Sequence, residues 1–301
     1  MRDLLEKIVE HGRRLGAEFV DVRVERVERT SITVQDGVLK EIRSGFEEGA
    51  AIRVLYRGAW GFAAVNRVEL DELVKGVEEA FNAARTLSQR VRRPARVVEL
   101  PALTDRVVHK FRVDPRTVGL DTKIRDLTEY EKLLRSREYV RSTTVTYTDI
   151  TGEKLYASSD ERFIAQGFGF TWLYTWITGR IGDVVASVRD ERGSVDGYTI
   201  WSRWSANEIA ERVLNRLEKQ LKAKTPRGGV FPVVLAPEVV GVFVHEAFGH
   251  LAEADLTVSG SAISDKMGKR IASDLVTIVD DPTIAGGFGT FKYDAAGVEA
   301  R

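Results

Sequence analysis

The dipeptide Asp36-Gly37, set between Ser31-Ile32-Thr33-Val34 and Val38-Leu39, restricts the fold of this chain more than any other stretch. Asp-Gly readily adopts the positive φ values that a two-residue hairpin loop requires, so the flanking runs are predicted to pair antiparallel. The β-branched run Phe19–Val24 precedes them, and Ala51–Leu55 and Trp60-Gly61-Phe62 follow on either side of Gly58. Helical spacing brackets these strands. Leu4, Leu5, Ile8, Val9 and Leu15 mark one amphipathic stripe, and Leu70, Leu73, Val74, Val77, Ala80 and Phe81 mark another.

A comparable order returns further along. Leu127, Tyr130, Leu133 and Leu134 predict a helix. Strands are expected at Val140–Tyr147, Lys154–Ala157 and Phe163–Thr175, with Thr151-Gly152 as a turn between the first two. Ile209, Val213, Leu214, Leu217 and Leu221 close the region with a further helix. The fold class that follows is α+β: a layered sheet-and-helix domain over residues 1–225, with related halves at 1–100 and 101–225. Thr225-Pro226-Arg227-Gly228-Gly229 reads as a boundary. Beyond it, residues 226–301 are expected to begin a second domain. There the strand Val230–Leu235 leads into a motif helix, and Leu275–Val279 has the pattern of a buried strand. Gly286-Gly287-Phe288-Gly289 lacks the Lys-Ser/Thr and the following helix of a phosphate-binding loop and reads as a turn.

The charge balance narrows the partners. Lys+Arg 45 equals Asp+Glu 45, so there is no basic excess for nucleic acid or anionic lipid. The cluster Arg90, Arg92, Arg93 and Arg96 surrounds Pro94 and reads as a solvated connector. Cysteine is absent, which rules out a disulfide framework. No apolar run reaches the roughly 18 residues of a membrane span, and the start lacks a signal-peptide core. A soluble, cytoplasmic protein is expected, and the scarcity of Asn and Gln beside many charges suggests a thermophile.

Of four histidines, His245 and His250 share one short window, His245-Glu246-Ala247-Phe248-Gly249-His250. Neutral imidazole suits zinc, and a neighbouring carboxylate can take a proton from zinc-bound water once its pKa falls towards about 7. The familiar zinc-protease spacing is i, i+4, about 40° around a helix; i, i+5 is about 140°. Both rings can face one ion only if the helix is bulged, and Gly249 is the residue expected to permit that. The competing reading is a core helix, Val239–Val244, that happens to carry polar residues. Against it, an unpaired Glu246 after so apolar a run would cost several kcal/mol if buried. His11 and His109 lack such company and read as structural.

The stretch Val244–Asp255 resembles the signature segment of the TldD/PmbA metalloprotease family. Pro237, Gly268-Lys269-Arg270-Ile271-Ala272-Ser273, the pair Asp280-Asp281 and the Asp36-Gly37 hairpin also resemble that family. The motif points to the zinc-bearing TldD-type subunit and to residues 226–301 as the start of a metallopeptidase domain. The resemblance implies a Zn2+-dependent peptidase acting on short or unfolded peptides held extended against a sheet in an internal chamber. His245 and His250 would be zinc ligands, with Glu246 as general base on zinc-bound water. It also implies a homodimer, or a heterodimer with a related PmbA/TldE-type subunit. The family is longer, and its third zinc ligand is a C-terminal cysteine; this chain has Cys 0 and carries Ala295 and Ala296 where acidic residues are usual. An amino-terminal portion of such a protein is therefore expected; Glu253, Asp255 and Asp294 are the remaining residues that could stand in as ligands, and capping or surface roles are expected for each in preference. The alternative is a non-catalytic peptide-binding or assembly subunit with an incomplete zinc site.

Overall fold

The structure, a computed structural model, describes residues 1–98 and 100–301. Two compact units form: residues 1–223 with 282–301, and residues 224–281.

In the first unit the elements run α1 (Arg2–Arg14), β1 (Phe19–Gln35), β2 (Val38–Tyr56), β3 (Ala59–Val65), α2 (Leu70–Ser88) and β4 (Leu103–Val107). After a 3₁₀ turn at Pro115–Thr117 come α3 (Leu120–Leu134), β5 (Val140–Ser158), β6 (Arg162–Ile181), β7 (Val184–Ser194), α4 (Ile200–Arg203) and α5 (Ala206–Leu221). The order helix, three strands, helix thus occurs twice, interrupted the second time only by α4. All seven strands join one sheet, ordered β3-β2-β1-β5-β6-β4, with β7 also on β6. The Asp36-Gly37 turn joins β1 to β2 as the sequence predicts, with Gln35 opposite Val38 and both turn residues at positive φ.

Alternation assigns the two faces. Along β1, Val20, Val22 and Val24 and then Ile32 and Val34 are buried. The first three pack with Leu5, Ile8, Leu73, Val77 and Phe81 of α1 and α2. The last two pack with Leu127 and Tyr130 of α3 and Val213 and Leu217 of α5. The helices therefore share one face of the sheet, each buried aliphatic contributing about 1.5–3 kcal/mol relative to exposure. Close approach needs glycine at one point: a Cβ on Gly61 of β3 would lie 1.8 Å from the Ala80 carbonyl oxygen of α2.

Residues 282–301 lie on the opposite face. Gln166 of β6 grips their main chain: its Oε1 accepts from the Lys292 and Tyr293 amides, both at 3.0 Å, and its Nε2 donates to the Tyr293 carbonyl at 3.1 Å. Tyr293 is buried against Tyr156 and Ile164. Arg162 donates to the Gly297 carbonyl at 2.6 Å.

Three sequence expectations are corrected. Thr151-Gly152 is not a turn: β5 runs through it unbroken, with Gly152 opposite Val27 on one side and Phe168 on the other. A Cβ there would sit 2.5 Å from the Phe168 ring, so the glycine makes room for an aromatic side chain. The chain turns at Ser159–Glu161 instead, where Glu161 takes φ 61°. In the second unit neither Val230–Leu235 nor Leu275–Val279 forms a strand, and Val234 and Leu275 are almost fully exposed. An apolar run becomes a strand only beside a ladder that satisfies its amides and carbonyls. Among the described residues of this unit there is no other strand to supply one.

Candidate metal centre

The second unit is built around α6 (Pro237–Val244), followed by a π-helical segment His245–Gly249, α7 (His250–Ala252) and α8 (Ala254–Val258). Pro237 starts α6 where its missing amide costs nothing, and Glu238 lies in the first turn. The helix then widens. The amide of His250 bonds to the carbonyl of His245, an i→i+5 closure, and this cancels the angular offset that five residues would accumulate on an α-helix. The distorted helix expected from the histidine spacing is what forms. Gly249 keeps a right-handed helical φ of −52°, and a Cβ there would make only an ordinary contact 3.8 Å from His245 Nδ1, so the widening requires neither its backbone freedom nor its missing side chain.

The widening brings the predicted residues together. The two imidazole centroids are 4.5 Å apart, inclined at 68°. Ligand atoms of His245, Glu246 and His250 all fall within 4.8 Å of one another. His250 Nε2 lies 3.7 Å from Glu246 Oε2, and His250 Nδ1 lies 2.8 Å from Glu253 Oε1. Glu253 thus fixes the ring through Nδ1 and leaves Nε2 directed to the cluster, an arrangement that orients and strengthens a metal-binding imidazole. Two imidazoles within reach of one point, with the Glu246 carboxylate beside them, are a pair of donors that suits zinc next to a group able to take a proton. Glu253→Ala is expected to weaken zinc binding about 10–100-fold without removing a ligand, measured by competition with a chromogenic chelator.

The other candidates do different work. Asp255 Oδ1 accepts from the Leu256 amide. Asp294 belongs to the first unit and caps a turn, accepting from the amides of Ala296 and Val298 at 2.8 Å each. His11 faces Glu78 at 3.2 Å, and His109 Nε2 meets the Val195 carbonyl at 2.9 Å. The desolvation argument for Glu246 is corrected. Val239, Val242 and Phe243 of α6 are exposed, and the Glu246 side chain is 65% exposed, so no burial cost arises within this unit. The local backbone contacts of Asp255 and Asp294 are of the capping kind the sequence favours for them, whereas Glu253 pairs with His250, a role for which the i, i+3 spacing was the signal.

Comparisons with known proteins agree along the chain. Residues 20–84, 113–221 and 228–301 match family models described as PmbA/TldA metallopeptidase domain 1, central domain and C-terminal domain. A metalloprotease of Methanocaldococcus jannaschii is 31% identical over 298 residues, covering 99% of this chain and 64% of that protein. A Saccharolobus solfataricus protein named zinc metalloprotease TldD homolog is 31% identical over 297 residues, covering 98% of this chain and 64% of that protein. The chain therefore spans just under two thirds of the length of these relatives. The fold is similar to that of TldE from Thermococcus kodakarensis, with a TM-score of 0.75 at 18% identity, covering 99% of this chain and 66% of that one. Among the described residues no helix is long and apolar enough to cross a membrane.

Proposed function

Because the chain belongs to the PmbA/TldD metallopeptidase family, we propose that it serves in hydrolysis of short or unfolded peptides at a zinc site held by His245 and His250. The observation that carries this reading is the i→i+5 bond from His250 to His245, which turns two otherwise divergent rings toward one point beside Glu246. Zinc held there supplies a Lewis acid that acidifies water and polarises a peptide carbonyl. Glu246 takes the proton from the attacking water and delivers it to the departing amine. Glu253 keeps the His250 ring in place while this happens. The working assembly on this reading is a homodimer, or a heterodimer with a related TldE-type chain, in the cytoplasm.

The metal test comes first. The purified chain is expected to hold about one zinc and His250→Ala almost none, read by elemental analysis after dialysis. Treatment with a chelator is expected to stop cleavage of an unstructured peptide and zinc to restore it. Failure to take up zinc under any condition would overturn the reading.

One observation favours a second reading. A catalytic zinc commonly has three protein ligands, and Glu253 is already engaged with His250. The chain would then bind peptides without cutting them. Glu246→Ala separates the two, since a binding subunit is indifferent to that change in every assay.

A further inference from the structure

Two cationic side chains are buried among the described residues, Lys123 and Arg162. Lys123 has a counter-ion in Asp149. Arg162, the first residue of β6, is 6% exposed, and among the described residues no carboxylate pairs with it. Its Nη1 donates to the Pro101 carbonyl and its Nη2 to the Gly297 carbonyl, both at 2.6 Å, while Nε has no partner. Carbonyl dipoles satisfy some of the five guanidinium donors and leave the charge itself uncompensated.

Arg162 lines a cavity of about 560 Å³, bounded also by α1, by the residues that start β4 and by Ala157 and Ser158 at the end of β5. That volume falls in the range of small-molecule sites, about 300–1,000 Å³. Six charged side chains border it. Arg2 and Glu6 neutralise each other at 2.7 Å. Of the other four, Arg13 and Arg162 are cationic and Glu10 and Glu161 anionic, and among the described residues none of them forms an ion pair. A small anion meets the two glutamates as well as the arginines, and a small cation meets the reverse. A molecule that carries both charges gains at each. Glu10, Arg13 and Glu161 are exposed, so their pairs with a ligand are weak in water. A carboxylate gains most at Arg162, where water is largely excluded.

We propose that this cavity binds a small zwitterion, a free amino acid or dipeptide, with its carboxylate toward Arg162 and its ammonium toward Glu10 and Glu161. The choice among zwitterions rests on the peptidase reading, because free amino acids and dipeptides are what hydrolysis of short peptides leaves behind. Both termini must be free, so an internal stretch of a longer peptide is not a ligand. The site takes product, and all its residues belong to the sheet unit.

Calorimetric titration of the full chain carrying Glu246→Gln reads binding whether or not the parent hydrolyses peptides, so failure of the peptidase reading leaves this result intact. The probes are alanine, dialanine, N-acetyl-dialanine and dialanine amide. Each blocked form is expected to bind at least about tenfold more weakly than dialanine. Tighter binding of dialanine than of alanine assigns the cavity to the dipeptide and the reverse assigns it to the free amino acid, and either supports the proposal. Arg162→Met is expected to weaken dialanine binding about 100-fold. Arg162 also holds the Pro101 and Gly297 carbonyls, so the exposed pair Glu10→Gln with Glu161→Gln covers the case where that variant does not fold. The pair is expected to bring dialanine down to the affinity of its acetylated form. No binding of either zwitterion at millimolar concentration overturns the proposal. Equal affinity for free and blocked dialanine does so too, as does an unchanged preference in the glutamine pair.

Discussion

Glu246→Gln is expected to lower peptide hydrolysis about 10³-fold while leaving about one zinc per chain. The substitution keeps the size and polarity of the side chain but removes its capacity to hold a proton between attack of water and departure of the amine. Zinc content separates this from a damaged site. The His250 ring is fixed from its other side by Glu253 at 2.8 Å, and the i→i+5 bond belongs to the backbone, so neither depends on the Glu246 carboxylate. Activity above about a tenth of the parent, with zinc retained, would remove Glu246 from the role of base.

Lys123→Met is expected to cost about 3–5 kcal/mol of stability at neutral pH. Lys123 of α3 and Asp149 of β5 are each at least nine-tenths buried, with Nζ 2.5 Å from Oδ2. Tyr147 and Asp114 are the other titratable groups around the carboxylate. Burial pushes the Asp149 carboxyl above the ordinary range, and Lys123 opposes that shift. Without the lysine the opposition is gone. A carboxyl whose pKa is higher folded than unfolded stabilises the fold when protonated. That contribution is complete below about pH 4 and is lost as pH rises through the folded value. The deficit of the variant should therefore shrink on acidification, as read by denaturant unfolding at a series of pH values. A deficit independent of pH would mean that lost packing, not a stranded charge, is responsible.

Much of this was legible in the sequence. Asp36-Gly37 gave away the first hairpin because a two-residue loop admits few residue types, and the helices followed from stripes such as Ile209, Val213 and Leu217. The i, i+5 interval of His245 and His250 forecast the widened helix on geometry alone. The misreadings came where one residue type serves two purposes. Gly152 resembled a turn glycine because a sequence does not show that a cross-strand phenylalanine needs the space. Val230–Leu235 and Leu275–Val279 have strand composition, but composition does not supply a pairing partner.

The length of β1 and β5 has a mechanical consequence. Val20, Val22 and Val24 anchor one core and Ile32 and Val34 the other; on β5, Leu155 and Ala157 serve the first and Val145 and Tyr147 the second. The two strands pair continuously from Asp21–Ser158 to Gln35–Thr144. They act as girders common to both halves, so neither half can loosen without tearing the ladder that supports the other. The sheet unit should melt in a single event, and its two cores should surrender their slowest-exchanging amides together.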